Sequence, residues 1–147
     1  MMPDKPTFSY LFSSFSPVLI IIILFAFFIF WRINNKKQKA SKKNLETSKM
    51  IDALKREILV VPSAEIPGKN IKNVLGLVRG VSDTQASTKE EFSLSETEAL
   101  YDMLKNAKNM GANAIIDAKV STGTYQTQGS QWQVSQAIYT GTAIIVE

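Results

Sequence analysis

The sequence predicts an α+β protein that is tethered to a membrane by one N-terminal transmembrane helix. Positions 6–31 form a run of 26 residues without a charged side chain. After this run, the apolar pattern changes from short strand-like stretches to one helical stripe and back again, with glycines and prolines at the turns. We therefore expect a small β-β-α-β-β domain, in which one helix packs on a curved antiparallel sheet.

The uncharged run is interpreted as a membrane anchor over residues 1–33, with a transmembrane helix over about 10–33. A helix of 26 residues is roughly 39 Å long, which is enough to cross a hydrocarbon core of about 30 Å. The alternative is a cleaved signal peptide, whose apolar part is shorter and ends at small residues. Here the run ends in Phe-Ile-Phe-Trp and a basic block, which favours a retained anchor with Trp31 at the interface.

Residues 34–57 are interpreted as a basic juxtamembrane linker that could be helical. Between residues 32 and 49, seven cationic side chains stand against one Glu46, a net charge of +6. Cations next to an apolar segment mark the cytoplasmic side and attract anionic lipid, so the sequence predicts a single-pass protein of the inner or plasma membrane with its N-terminus outside and its C-terminal domain in the cytoplasm. The residues assigned to this membrane-surface patch are Arg32, Lys36, Lys37, Lys39, Lys42 and Lys43. Nucleic-acid binding is the weaker alternative, and no nucleic-acid partner is expected, because the position already explains the charge.

The end of the linker leaves two readings open. Ile51, Leu54 and Ile58 follow helical spacing. They belong either to a short amphipathic helix that leads into the domain or to a continuation of the anchor helix.

The folded domain is expected over residues 58–147. A first strand over 58–61 ends at Pro62, and a second covers 71–81 with Gly76 and Gly80 as bulge or close-approach points.

A polar loop over 82–94 is then expected to lead into a helix. Ser95 and Glu98 have the spacing of a capping box. The helix would end at Gly111, which suits a left-handed cap.

Two further strands follow, and they are expected to form a long hairpin. In the first, Ile116, Ala118 and Val120 alternate with Ile115, Asp117 and Lys119. The second covers 132–146, with Gly141 as a bulge that can change the phase. The glutamine-rich loop between them, with Tyr125 and Trp132 at its ends, is either a polar-aromatic contact surface or an ordinary hairpin tip.

Composition excludes several classes of site. The chain has no cysteine and no histidine, so disulfides, thiolate or imidazole metal sites and histidine bases are excluded. Asp117 and Lys119 could pair as an acid and a base near Ser121, but a solvent-facing strand explains them equally well. The sequence therefore predicts a protein that is not an enzyme.

Several motifs together resemble the YbjQ-like family, which is described as a heavy-metal-binding domain. They are "ILVV…EIPGKNI…VLGLVRG" at 58–80, "AKNMGANAIIDAKV" and "YTGTAIIV", and the resemblance covers residues 58–147. It implies a dodecin-like subunit and a homo-oligomeric ring such as a pentamer. Independently of the resemblance, Gly76, Gly80, Gly111 and Gly141 are expected to be structural glycines that allow close backbone approach, since their spacing fits no phosphate-binding motif. The chain departs from the family in having "STKEEFSLSETE" where relatives carry a Gly-Gly pair, and in its added anchor.

The metal-binding description has few residues to support it. Without cysteine or histidine, a metal site would have to use oxygen ligands, which favour hard cations over heavy metals. The candidate ligands are Glu90, Glu91, Glu96 and Glu98, with Asp83 and Asp102 nearby in sequence. We expect a non-enzymatic, membrane-anchored homo-oligomeric binding or scaffold module; the alternative is a metal-binding protein with an oxygen-ligand site.

Overall fold

The computed structural model describes residues 17–126 and 133–147. The expected start of the transmembrane helix near residue 10 and the tip of the glutamine-rich loop lie outside the described residues. The chain divides into two compact units, Met1–Lys36 and Lys37–Glu147.

Helix α1 spans Pro17–Leu54 without interruption. Of the two readings of Ile51 and Leu54, the structure therefore has the continuous helix. In the first unit, every large apolar side chain from Leu19 to Ile33 is exposed. One helix of the described chain is long and apolar enough to cross a membrane, a test that a signal sequence or a soluble core helix also passes.

In the second unit, the rest of α1 is part of the folded domain. Ala40, Thr47 and Ile51 are buried, and their spacing of seven and four residues puts them on one side of a helix. Ile51 joins the main apolar core, and Leu54 packs against it.

Four strands and a second helix complete the domain, and the predicted β-β-α-β-β order is confirmed. The elements are β1 (Leu59–Val60), β2 (Ile71–Val81), α2 (Lys89–Asn109), β3 (Ala114–Gln126) and β4 (Gln133–Val146). The sheet order is β1-β3-β4-β2. Strand β4 pairs antiparallel with both β2 and β3, whereas β1 pairs parallel with β3.

The expectation of a purely antiparallel sheet was therefore wrong. A parallel pair requires a long crossover between its strands. The chain between β1 and β3 contains β2 and α2, so it is long enough to bring β3 back in the same direction as β1. The result is a mixed sheet.

Helix α2 begins seven residues before the expected start. Thr88 is its N-cap, and the capping box joins Thr88 to Glu91: the amide of Glu91 donates to Thr88 Oγ1 at 3.2 Å, and the amide of Thr88 donates to Glu91 Oε2 at 3.2 Å. The expected capping box of Ser95 and Glu98 lies inside the helix. Thr88 to Glu91 repeats the same Ser/Thr-x-x-Glu pattern seven residues earlier, and buried Leu94 extends the apolar stripe toward it.

Two small residues let the layers of the domain approach closely. A Cβ atom on Gly80 would lie 2.1 Å from the carbonyl oxygen of Ala99 and 2.2 Å from the amide nitrogen of Met103. A Cβ atom on Gly141 would lie 2.6 Å from Ile115 Cγ2. No side chain fits at Gly80, because backbone atoms of α2 occupy its space.

Gly111 and Gly76 both have a positive φ. Gly111, which follows α2, has φ +82°, and Gly76 has φ +127° at an irregularity in the pairing of β2. The left-handed conformation at Gly111 ends the helix at little steric cost because glycine has no Cβ.

A bulge in β3 reverses the expected alternation of side chains. The register shifts between Ile116 and Lys119, and Asp117 has φ +53°. As a result, Ala118 packs with Ile115 against the α2-facing core, while Ile116 belongs to a second cluster. The alternation in the sequence predicted that Ala118 and Ile116 share one face of the strand. A bulge at Asp117 does not change the polar and apolar pattern, so it could not be predicted from that pattern.

Candidate functional site

A polar crevice of about 590 Å³ lies between the C-terminal half of α1, the end of β2 and α2. The charged and phenolic groups that line it are Lys43, Asp83, Glu98, Tyr101, Asp102 and Lys105. All of them belong to the second unit, so the crevice is a feature of the folded domain itself.

Glu98 lies at the centre of the contacts beside the crevice. Its side chain is only 8% exposed, and its Oε1 atom lies 2.6 Å from the ammonium of Lys43, which is 55% exposed. Its Oε2 atom accepts a hydrogen bond from the amide of Thr84 at 2.8 Å. This carboxylate therefore connects α1, α2 and the segment that follows β2.

The ion pair changes the acidity of both groups. Burial raises the pKa of Glu98, but the hydrogen bonds from Lys43 and Thr84 outweigh burial and hold that pKa below its ordinary value. The hydrogen bond to Glu98 raises the pKa of Lys43. Both groups are therefore charged at neutral pH.

Two buried serines hold the segment after β2 in place through hydrogen bonds. The hydroxyls of Ser82 and Ser95 lie 2.6 Å apart, Ser82 donates to the carbonyl of Thr84 at 3.1 Å, and Ser95 accepts from the amide of Ala137 at 2.9 Å. The side-chain amide of Gln136 also donates to the carbonyl of Ser82. These contacts give both hydroxyls a structural role.

The next turns of α2 hold the edge of the sheet in the same way. Asp102 accepts a hydrogen bond from the backbone amide of Val81 at 3.1 Å, and the side-chain amide of Asn106 donates to the carbonyl of Arg79 at 2.9 Å. Asp102 is therefore already engaged with the backbone of β2.

The structure spreads the four predicted metal ligands along α2. Glu90 pairs with Lys37 at 3.2 Å, Glu91 forms the N-terminal capping box, and Glu98 pairs with Lys43. Glu96 lies close enough to Tyr139 to add to the effect of burial, which raises the pKa of that phenol.

The donor groups do not fit a heavy-metal site. The chain contains no cysteine or histidine, and soft metals prefer thiolate and imidazole ligands. Over residues 17–126 and 133–147, no three Asp or Glu side chains come together in a group that could hold a metal ion.

The predicted membrane-surface patch is divided by ion pairs. Lys37 and Lys43 contact α2, whereas the remaining four basic residues are exposed and form no ion pair with a described carboxylate. Those four are Arg32, Lys36, Lys39 and Lys42.

The suggested acid–base pair on β3 is an exposed ion pair. Lys119 Nζ lies 2.9 Å from Asp117 Oδ1, and both side chains are about half or more exposed. Ser121 donates only a long hydrogen bond of 3.5 Å to the carbonyl of Ile138. The side chain of Tyr125 lies outside the described residues.

The outer edge of β2 was not singled out from the sequence. This strand ends the sheet order, so no strand of the described chain pairs with its outer side; only its C-terminal end is engaged there, by Asp102 and Asn106 of α2. Ile71, Val74 and Leu77 are exposed along it, Leu77 by 74%. The sequence contains one sign of this edge: the segment 71–81 has more apolar residues than one buried face of a strand requires, so some of them must be exposed.

Comparisons with known proteins point to one family. The YbjQ family model, whose description reads "Putative heavy-metal-binding", matches residues 83–147. The "UPF0145 protein" of Hahella chejuensis is 32% identical, and the match covers 61% of this chain and 100% of that protein. Among solved structures, a protein of unknown function from the DUF74 family of Pediococcus pentosaceus is 17% identical, with a TM-score of 0.45, over 61% of this chain and 98% of that chain.

Proposed function

The chain belongs to the YbjQ-like (UPF0145) family, and from this premise we propose that it is a membrane-anchored, homo-oligomeric scaffold or binding module without enzymatic activity. Its folded domain would lie in the cytoplasm. The partner of the module is a protein or small ligand whose identity the chain does not specify.

The first helix supports the anchor. A soluble core helix buries its apolar residues, whereas the most apolar window of α1 is entirely unburied in the described structure. A signal peptide ends at small residues, whereas this run ends at Trp31 and a basic block. The basic block supports a cytoplasmic domain, since cations concentrate on that side of a membrane.

The single observation that carries the oligomer is the open edge of β2. Exposed apolar edge strands are templates for pairing with another chain, and β2 exposes Ile71, Val74 and Leu77 along 11 residues. Strand β3 offers a second open edge beyond Ala118, because β1 and the segment that follows it hydrogen-bond with β3 only as far as that residue. Two different open edges favour a head-to-tail contact, and such contacts form a ring when the rotation between neighbouring subunits closes.

The absence of enzymatic activity is proposed from the roles of the polar groups. In the described chain, Glu98 and Asp102 bind backbone amides, and the two buried serine hydroxyls bind each other. Catalysis requires a nucleophile or base that is oriented toward a substrate. Each of these groups is instead oriented toward the protein.

The mass of the full-length chain in detergent, measured by native mass spectrometry, tests the oligomer. We expect one discrete oligomer for the natural chain and a monomer for Leu77→Asp, because a carboxylate at the centre of the β2 edge opposes its burial. Leu45→Asp is the matched control: Leu45 is also exposed but lies on α1, so this variant should keep the oligomer. A monomeric natural chain, or an unchanged oligomer in Leu77→Asp, would contradict the proposal.

The family description favours a second candidate function, cation binding through oxygen ligands. Calorimetric titration with Ni²⁺, Zn²⁺, Cu²⁺ and Ca²⁺ tests it. From the spread of the carboxylates along α2 we expect no binding tighter than the millimolar range. Stoichiometric micromolar binding that is lost in Glu98→Gln would establish a metal site and overturn the scaffold proposal in its present form.

A further inference from the structure

The basic segment contains two Lys-Lys pairs, at 36–37 and 42–43. In each pair, the second lysine contacts α2: Lys37 lies 3.2 Å from Glu90, and Lys43 lies 2.6 Å from Glu98. The first lysine of each pair is exposed and forms no ion pair with a described carboxylate. The same residue type therefore has two different environments at adjacent positions.

Helix geometry explains the division at the second pair. Neighbouring residues of an α-helix point about 100° apart. Ala40 and Thr47 are on the buried side of α1, and Lys43 follows Ala40 by three residues, so it borders that side. Lys42 follows Ala40 by two residues and points away from it.

We propose that α1 divides the basic segment into two sets with different partners. Lys37 and Lys43 hold α1 against α2, whereas Arg32, Lys36, Lys39 and Lys42 bind the phosphate groups of anionic phospholipids. This inference rests on the proposed membrane anchor. It changes the predicted patch from one surface of six cations to a lipid-binding set of four.

The burial of Glu98 keeps Lys43 out of the lipid-binding set. If a lipid phosphate captured the ammonium of Lys43, the carboxylate of Glu98, only 8% exposed, would lose its cation while it stayed buried. A carboxylate that stays buried is less stable without its cation than in the ion pair. The amide of Thr84 also binds Glu98 and holds it in place. Lys37 contacts the same helix through Glu90, and Asn44, two turns further along α1, donates a hydrogen bond to Ser93 of α2 at 3.1 Å.

Sequence position selects lipid as the partner of the other set. Arg32, Lys36, Lys39 and Lys42 lie within eleven positions after the uncharged run of 26 residues, where a lipid headgroup region begins. Nucleic-acid binding would not require the cations to lie next to an apolar segment.

Amine labelling of the full-length chain in lipid nanodiscs tests the division. The chain is placed in discs of phosphatidylcholine alone and of phosphatidylcholine with phosphatidylglycerol, and the acetylation rate of each lysine is read by mass spectrometry. We expect Lys36, Lys39 and Lys42 to react about fivefold more slowly in the anionic discs, as expected for about 1 kcal/mol per cation near an anionic surface. Lys37 and Lys43 should react at the same rate in both discs, as should Lys69, a control in the loop before β2.

Two neighbouring substitutions with the same charge change sharpen the test. Lys42→Gln should reduce the number of phosphatidylglycerol molecules retained per chain in native mass spectrometry and leave the melting temperature unchanged. Lys43→Gln should lower the melting temperature and leave the number of retained phosphatidylglycerol molecules unchanged. Equal protection of all five lysines by phosphatidylglycerol would overturn the division, and protection by added RNA but not by phosphatidylglycerol would overturn the choice of lipid.

Failure of the anchor is distinguishable from failure of this inference. A chain that does not enter the discs contradicts the anchor. A chain that enters them without selective protection of Lys36, Lys39 and Lys42 contradicts only the lipid-binding set.

Discussion

The two halves of α1 belong to one helix but show opposite relations between sequence and burial. From Leu19 to Trp31, the large side chains are apolar on every side of the helix and all are exposed. From Lys37 to Leu54, the segment is strongly polar, yet Ala40, Thr47 and Ile51 are buried. The more hydrophobic half thus buries less against protein.

The difference shows that the total hydrophobicity of a helix and the spacing of its apolar residues indicate different surroundings. A helix that is apolar all round suits lipid or a large core, whereas a narrow stripe at helical spacing suits one neighbouring protein surface. Ala40 and Thr47 are small and only weakly apolar, but they lie on the stripe that faces the domain. The predictions below test whether the halves differ as lipid-facing and protein-facing segments should.

The largest effect is expected in the first half. In Ile22→Asp/Phe27→Asp, each carboxylate near the helix centre should make insertion less favourable by about 2.5–3.5 kcal/mol. We expect the protein to be released from membranes by alkaline extraction, whereas the natural chain resists it.

The matched control places two aspartates on exposed positions of the second half. Leu45→Asp/Met50→Asp also replaces two exposed apolar residues, and it should stay membrane-bound. If the Ile22/Phe27 variant also resists alkaline extraction, lipid is not what surrounds the first half.

The next effect is expected where the second half enters the core. Ile51 is 5% exposed, whereas Leu45 on the same helix is 60% exposed. Ile51→Ala should destabilise the domain by about 2–4 kcal/mol, because it removes buried methyl groups and leaves a cavity. Leu45→Ala should change stability by less than about 0.5 kcal/mol. Denaturant unfolding of the full-length chain, followed by circular dichroism, measures both, and equal effects would mean that this part of α1 is only a linker.

The strands were easier to predict from the sequence than the helix boundaries. Strand β2 was expected over 71–81 and is found at Ile71–Val81, because an apolar run between turn residues has few alternative readings. The start of α2 was misplaced, since two capping-box patterns, at Thr88 and Ser95, stand seven residues apart. Local pattern cannot choose between them; the burial of Ser95 against Ala137, a distant part of the chain, decides.

The candidate site was less predictable than the fold, because its contacts are long-range. Lys43 and Glu98 are 55 residues apart in the sequence, where Lys43 was assigned to the membrane-surface patch and Glu98 to a capping box and the candidate metal ligands. The bulge at Asp117 and the parallel pairing of β1 also depend on partners that no short segment contains. Ion pairs between distant segments leave no periodic signal, so the crevice became visible only with the structure.

The smallest effect, and the most specific, concerns the pH dependence that the Lys43–Glu98 pair gives to the second half. The pKa of Glu98 is lowered in the folded state, so its stabilising contribution is present above the ordinary value of 4.5 and is lost as the pH falls through the folded-state pKa. The pKa of Lys43 is raised, so its contribution is present below the ordinary value of 10.5 and is lost as the pH rises through its folded-state pKa. The pair therefore stabilises the domain throughout the interval between these two values.

Lys43→Met should lower the stability at neutral pH by about 1 kcal/mol, a modest figure because Lys43 is half exposed to solvent. It should also raise the pKa of Glu98, so that the acid-induced loss of stability begins at a higher pH. Denaturant midpoints measured across the acidic range show both changes. Lys37→Met is the control, since Glu90 is 43% exposed whereas Glu98 is only 8% exposed, so that water screens the Lys37–Glu90 pair more strongly. If the denaturant midpoint of Lys43→Met changes with pH in the same way as that of Lys37→Met, the pKa of Glu98 does not depend on its contact with Lys43.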